Sequence, residues 1–587
     1  METAAVTSYG RAWAAGVGVT AVIALSPACH RTLESGAAKP IAFMHVAVIP
    51  MDRERVLADQ TVIVRQGRIA VVGASSQTAV PRDAAIIDGR GKYLMPGLAD
   101  MHVHVFSPHE LLSNLVWGVT TLALFSGDFE TLRWRAAVAQ GTLVGPTLYT
   151  SGPITDGVPP TDYDNLEVAT VEEARAVVDS EKAAGYDYIK VYNNYAPSVY
   201  RAVLAEARAK GLTVVGHIVR SIGAHETLRD GQSVIAHGEE YYYTYFAYRP
   251  DTAAIPAIVV ETRTAGAFVI AMLSSMPAIL HMVANMDSVL QLPEARYLPP
   301  AMYEDWRPEN NGYRHRADPA AFVARVRTQA AFLPVFTKAL SDGHVKLLVG
   351  TDAAELNFPG YAVHDELHQL TNAGLTPYQA LEAATRNAGE FIATRVRSSD
   401  RFGMVAPGMR ADLILLSANP LGQIAAVDSP VGVMARGQWW TVAELRRRRD
   451  SVTAGYAALE AMGVTFDSLV KHGDARAAQS LFADAVARDP IHRPFSIYAL
   501  LAPCDTLRAS QPDAALAFCR MNVALYPDRF ATHVGLARAL RTVGDTAGAR
   551  AELRTAAHLA PGNDAARRVL DSLAGQRDPS AGGRGRS

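Results

Sequence analysis

The spacing of apolar and polar positions changes character along the chain. From Ile41 to Leu94 short runs of β type alternate with turn residues, and residues 60–73 read as a hairpin turning at Gln66-Gly67. Asp88-Gly89 marks another turn. Runs of the same type return at Asp412–Leu416 and Val431–Trp440. The two flanks, 39–96 and 399–445, predict one small discontinuous β-sandwich. Between them, apolar strands are expected at Tyr93–His104, Thr120–Phe125, Thr147–Ser151, Tyr188–Tyr192, Thr213–Val219, Ser233–His237, Phe268–Leu273 and Lys346–Thr351. Helical periodicity lies between several of them, at Val171–Ala184, Pro197–Lys210 and Tyr378–Arg386. Eight strands with intervening helices over 97–398 predict an α/β fold, a (β/α)8 TIM barrel. The stretch Ser274–Ala339 is too long for one connection and predicts an insertion near the barrel mouth.

Beyond Glu444 the pattern becomes wholly helical. Units ending in Asp489-Pro490, Tyr526-Pro527 and Ala560-Pro561 place their prolines 37 and 34 residues apart, with turns at Gly473-Asp474 and Gly544-Asp545. Residues 446–577 thus resemble tetratricopeptide repeats, an all-α module suited to a protein partner. The Gly/Ser/Arg-rich tail 578–587 is expected to be disordered. At the other end, Arg11 precedes an apolar run, Ala12–Leu25, and then Ser26-Pro27-Ala28-Cys29. Residues 1–38 read as an export segment, either an ordinary signal peptide or a lipoprotein leader that anchors the chain to a membrane through Cys29. The expected location is periplasmic or at the cell envelope.

Composition narrows the chemistry. The 587 residues include 56 Lys+Arg against 58 Asp+Glu, a net charge of −2 that offers no basic field for nucleic acid. Three cysteines, none in a CxxC pair, exclude a disulfide framework and a thiolate zinc site. Cys504 and Cys519 suit either one disulfide or two free buried thiols.

The candidate chemistry lies in the histidines. Residues two apart on a strand point to one side, so His102 and His104 project together where a barrel places its active site. An isolated His-x-His is weak evidence, but His217, His237 and Asp352 each end a predicted strand, and Lys190 lies in the strand Tyr188–Tyr192. Four histidines, one aspartate and one lysine converge at the ends of strands one, four, five, six and eight. Weaker candidates are His364 and Glu366, which are more simply a helix start, the aromatic run Tyr241-Tyr242-Tyr243 with Tyr245 and Phe246, and His109.

With these motifs the chain resembles the metal-dependent amidohydrolase superfamily over Ile41 to Leu445. The marks are Pro96-Gly97-Leu98 before His102 and His104, Gly350-Thr351-Asp352, Ala373-Gly374-Leu375-Thr376-Pro377 and Gly408-Met409-Arg410-Ala411-Asp412-Leu413. Imidazolonepropionase-like and prolidase-like members look most similar. The resemblance implies two divalent metal ions, with zinc favoured and Mn, Co or Fe also fitting the donors. One would be held by His102, His104, Lys190 and Asp352, the other by Lys190, His217 and His237, with Lys190 carbamylated as the bridge. A metal-activated hydroxide would attack a C–N carbonyl, with Asp352 as general base and then acid. The expected substrate is a small amide or peptide, a dipeptide or an N-acyl amino acid. Two other readings stand beside it: a cyclic-amide ring opener, and a weakly active barrel that serves as a binding protein through its repeats. Cationic Arg220, Arg263 or Arg314 would favour a carboxylate-bearing substrate if they lie in the pocket.

Overall fold

A computed structural model describes residues 39–559, apart from 162–164, 309–311, 315, 317, 354–356, 398, 489–502 and 528–529. The leader with Cys29, the repeat ends Asp489-Pro490 and Ala560-Pro561, and the tail 578–587 lie outside the described residues. Among the described residues no helix is long and apolar enough to cross a membrane. The chain divides into two compact units, 39–165 with 181–456, and 166–180 with 457–559.

In the first unit, eight parallel strands follow one another at Leu98–Val103, Val119–Leu124, Thr147–Thr150, Tyr188–Val191, Thr213–Gly216, Val234–Ile235, Phe268–Ile270 and Leu347–Leu348. The first three form one sheet and the last five belong to another. Among the described residues a continuous closed ladder is not formed. The sheet edges meet through the parallel bridge of Ser151 with Tyr188 and through the N–H of Met101, which donates to the carbonyl of Val349 at 2.8 Å. The central strands are buried throughout, as strands covered on both faces must be.

The flanking β stretches from both ends of this region pair in one eight-stranded sheet. Its main path runs Gln438–Thr441, Pro430–Ala435, Leu413–Leu416, Tyr93–Pro96, Ile41–Val48, Leu57–Arg65, Arg68–Ala74. The hairpin turn falls at Gln66 and Gly67, with φ of 50° and 74°, the two left-handed residues that a tight hairpin needs. The run Tyr93–His104, read from sequence as one strand, is two. It breaks at Gly97, where a Cβ would lie 2.2 Å from the Thr120 hydroxyl. Tyr93–Pro96 joins the flanking sheet, and Leu98–Val103 opens the parallel run.

Arg410 ties the two layers together. It is 7% exposed and lies 4.5 Å above the Phe402 ring. Its Nε donates to Asp412 at 2.6 Å, one terminal nitrogen to Asp400 at 2.9 Å and to the Tyr149 hydroxyl at 3.0 Å, and the other to Thr121 at 2.7 Å. Thr121 and Tyr149 belong to the second and third parallel strands, and Asp412 directly precedes a strand of the flanking sheet.

The expected insertion is built of helices Ser275–Leu290, Pro293–Tyr297, Pro300–Asp305 and Pro319–Asp342. Met282, Met286, Leu298 and Trp306 pack with Phe358, which follows the eighth strand. The helix Val442–Thr453 clasps it. Buried Arg449 donates to Glu294 at 2.9 Å and lies 3.5 Å over the Tyr297 ring, whose hydroxyl donates to Asp450 at 2.7 Å.

The second unit is helical over Ala475–Arg488, Pro512–Leu525, Phe530–Thr542 and Thr546–Leu559. Gly473 and Gly544 take positive φ at the expected turns, and the carboxylates of Asp474 and Asp545 cap the helices that follow. Cys504 and Cys519 form a disulfide inside its apolar core.

A buried carboxylate gives this fold a pH signature. One oxygen of Glu181 accepts the Gly152 N–H at 3.0 Å, and the other is buried without a partner. Burial pushes Glu181 up to about 8 from 4.5. The folded chain therefore keeps a proton that the unfolded chain releases, and stability falls as pH rises through that window. Glu110 and Glu366 act with the same sign. Glu181→Gln removes one titration, so its melting temperature is expected to fall less than that of wild type between about pH 5 and pH 8 in scanning calorimetry. Equal falls would show that Glu181 carries none of the dependence.

Candidate metal centre

His102 lies on the first strand and His104 just past its end, both buried. Oδ1 of Asp352, after the eighth strand, is 3.3 Å from Nε2 of His102 and 2.9 Å from Nε2 of His104. These three residues offer one ligand atom each, all within 4.8 Å of one another. The ring of His237, after the sixth strand, stands edge-on to His102 at 4.7 Å and to His217, after the fifth, at 4.6 Å. Lys190, on the fourth strand, is 1% exposed, with Nζ 5.1 Å from the centre of the Phe125 ring and 5.7 Å from that of Tyr192. Phe125 stacks on His102, and Tyr192 lies 3.9 Å from His217. The structure thus links the four histidines and Asp352 through direct contacts, with Lys190 one aromatic ring away from His102 and from His217.

Local backbone geometry sets this placement. Asp352 adopts φ 53°, a left-handed conformation that costs a non-glycine residue about 1–3 kcal/mol. It is held there by the N–H groups of Thr351 and Asp352, both donating to the His102 carbonyl at 2.9 Å. Gly216, at φ 134°, precedes His217, and a Cβ there would sit 2.1 Å from the Val191 carbonyl. Only glycine lets the fifth strand approach the fourth so closely.

Electrostatics fit a cation. Burial, followed by the positive charge of Lys190, holds His102 and His217 well below the ordinary imidazole value. Burial and His217 do the same to His237. Neutral rings present lone pairs. Burial alone would raise Asp352, but the close approach of the His102 and His104 ring nitrogens to its oxygen holds the carboxyl well below its usual range. Nδ1 of His237 is buried without a hydrogen-bond partner. Nδ1 of His217 faces Asn193 Oδ1 at 3.0 Å and Glu240 Oε1 at 3.2 Å, which sets the tautomer that leaves Nε2 as a donor of electrons. Neutral imidazoles, one anionic carboxylate and an orphaned ring nitrogen are the donor set of a divalent metal site.

Around this cluster stand residues that the sequence reading did not single out. Asp100 accepts from the Thr351 hydroxyl at 2.6 Å and from the His102 N–H at 3.2 Å, and burial pushes it up to about 7. Its spacing of two from His102 was the available signal. Glu240, 1% exposed, accepts from the Ile218 N–H at 3.1 Å and from Arg220 at 3.0 Å. Glu239 is partly exposed and accepts from the Tyr243 hydroxyl at 3.2 Å; burial and Glu240 push it up to about 8.

The weaker candidates divide. Arg220 lies beside the cluster, 4.6 Å over the Tyr243 ring, with one terminal nitrogen buried and unpartnered. Arg263 is turned to the Gly343 carbonyl at the end of its helix. Tyr241, Tyr242 and Phe246 pack on Phe332 and Phe336, so only part of the aromatic run lines the site. His109 stacks on Tyr456. His364 bridges Asp428 and the Trp117 carbonyl, and Glu366 accepts the N–H groups of Leu273 and Ser274.

Parallel strands that gather histidines and an aspartate at their C-terminal ends define a metal-site α/β protein. Comparison with known proteins makes the class specific. Residues 93–440 match the profile described as Amidohydrolase family, and the chain belongs to that family. Among curated relatives, a dihydroorotase of Anaeromyxobacter sp. (strain K) is 27% identical over 177 residues, 27% of this chain and 37% of the relative. An imidazolonepropionase of Idiomarina loihiensis is 42% identical over 85 residues, 14% of this chain and 18% of the relative. The chain spans well under half the length of these curated relatives. Among solved structures, a bottromycin amidohydrolase superposes with TM-score 0.57 at 24% identity, covering 70% of this chain and 90% of that one. A Xaa-Pro dipeptidase with bound methionine gives TM-score 0.53 at 17% identity, covering 69% and 100%.

Proposed function

We propose that the protein is a metal-dependent hydrolase of a C–N bond in a dipeptide or N-acyl amino acid. The observation that carries this reading is the convergence of His102, His104, Lys190, His217, His237 and Asp352 at the strand ends. His102, His104 and Asp352 would hold one cation and His217 and His237 a second. Lys190 would bridge them as a carbamate, formed when its neutral amine adds to carbon dioxide and releases a proton. When bound, the cations supply Lewis acidity, which makes water nucleophilic at neutral pH and polarises a carbonyl. Asp352 takes the proton of the attacking water and returns it to the leaving nitrogen. Asn193 and Glu240 orient His217, and the free nitrogen of Arg220 is placed to take a substrate carboxylate. The Xaa-Pro dipeptidase among the structural neighbours supports the dipeptide reading.

The imidazolonepropionase match favours a second reading, cyclic-amide ring opening by the same residues. Closure of the two sheets into a barrel, zinc as the metal, export, and a tetratricopeptide-like second unit that binds a protein partner belong to the same proposal. The glycine turns and capped helices of that unit support the repeat reading.

Metal content tests the core of the proposal. Wild type is expected to carry about two metals per chain, and Lys190→Ala at most one, with hydrolysis reduced by at least about 100-fold. One metal in both proteins would remove the bridge. No metal after growth with zinc and bicarbonate would leave the binding-protein reading.

A further inference from the structure

Arg220 and Glu239 both contact Tyr243, one over its ring and the other at its hydroxyl. The Arg220 guanidinium lies 4.6 Å over its ring, and its hydroxyl donates to Glu239 at 3.2 Å. Gln329, from the last helix of the insertion, donates to the same hydroxyl at 2.8 Å and fixes the ring. Arg220 is already half-satisfied by Glu240, with one nitrogen left over. Glu239 is different: Tyr243 is its one hydrogen-bond partner among the described residues, and solvent reaches it.

We infer that Glu239 is a specificity-determining residue that receives the free α-ammonium of a dipeptide, while Arg220 receives its α-carboxylate. The inference rests on the hydrolase reading above and deepens it, because it selects dipeptides over N-acyl amino acids. An extended dipeptide carries its charges about two residues, roughly 7 Å, apart. The scissile amide lies between the two charges, so a substrate held at both ends presents its carbonyl at a fixed position.

The test compares two substrates that differ only in the ammonium, L-alanyl-L-alanine and propionyl-L-alanine, and repeats the pair with other C-terminal residues. Wild type is expected to prefer the dipeptide. Glu239→Gln, which keeps shape and the bond from Tyr243, is expected to lower kcat/KM for the dipeptide by about 10- to 100-fold and to leave the propionyl compound within about twofold. Tyr243→Phe, which loosens Glu239 without removing its carboxyl group, is expected to give a smaller loss in the same sense. Equal losses on both compounds in Glu239→Gln would overturn the inference and make Glu239 structural, as would a wild-type preference for the propionyl compound. Turnover of neither compound by a metal-loaded wild type, across all C-terminal residues, would instead remove the hydrolase reading on which the inference rests.

Discussion

Asp352→Asn is expected to lower kcat by about 10²- to 10⁴-fold while leaving the fold intact. The amide is the same size as the carboxyl and can still accept at its oxygen, but it cannot take a proton from water and return it to nitrogen. The substitution is clean for a second reason. Asp352 sits at φ 53°, and asparagine is among the non-glycine residues that tolerate this region best. Circular dichroism and melting temperature should therefore match wild type, and the loss should persist at saturating metal. Activity within tenfold of wild type would take the proton-carrying role away from Asp352.

The second large effect concerns stability. Arg410→Met is expected to destabilise the first unit by about 3–5 kcal/mol, because it leaves Asp412 buried without the Arg410 guanidinium and takes one donor each from Asp400, Tyr149 and Thr121. A fall in the urea midpoint measures it. Pairing Arg410→Met with Asp412→Asn should recover part of the loss, since a neutral amide costs less to bury than an unpaired carboxylate. A change below about 1 kcal/mol would mean that water replaces the guanidinium at little cost.

What could be read from sequence follows from periodicity. His102 and His104 were legible because strand residues alternate sides, and His217, His237 and Asp352 because each ends an apolar run. The flanking sheet was legible as two β stretches of one discontinuous domain, yet its strand order was not, since pairing between 41–96 and 413–441 leaves no local mark. The break at Gly97 was hidden because Tyr93–Pro96 and Leu98–Val103 are both apolar, and what separates them is a change of pairing partner, Leu413–Leu416 for the first and Val119–Leu124 for the second. Glu239, Glu240, Arg220 and Asn193 lie on loops or a short helix, where neither period applies and orientation comes from tertiary contacts. The insertion was visible only as excess length.

The clasp between Arg449 and the insertion bears on how such proteins can be recombined. Glu294 and Tyr297 lie more than a hundred residues before Arg449, yet they share one buried charge with it. A chimera that imports residues 274–339 from a relative would strand that guanidinium, and one that truncates the chain before Val442 would strand Glu294. The smallest portable cassette is therefore discontinuous: the insertion travels with the helix 442–453 or it travels badly.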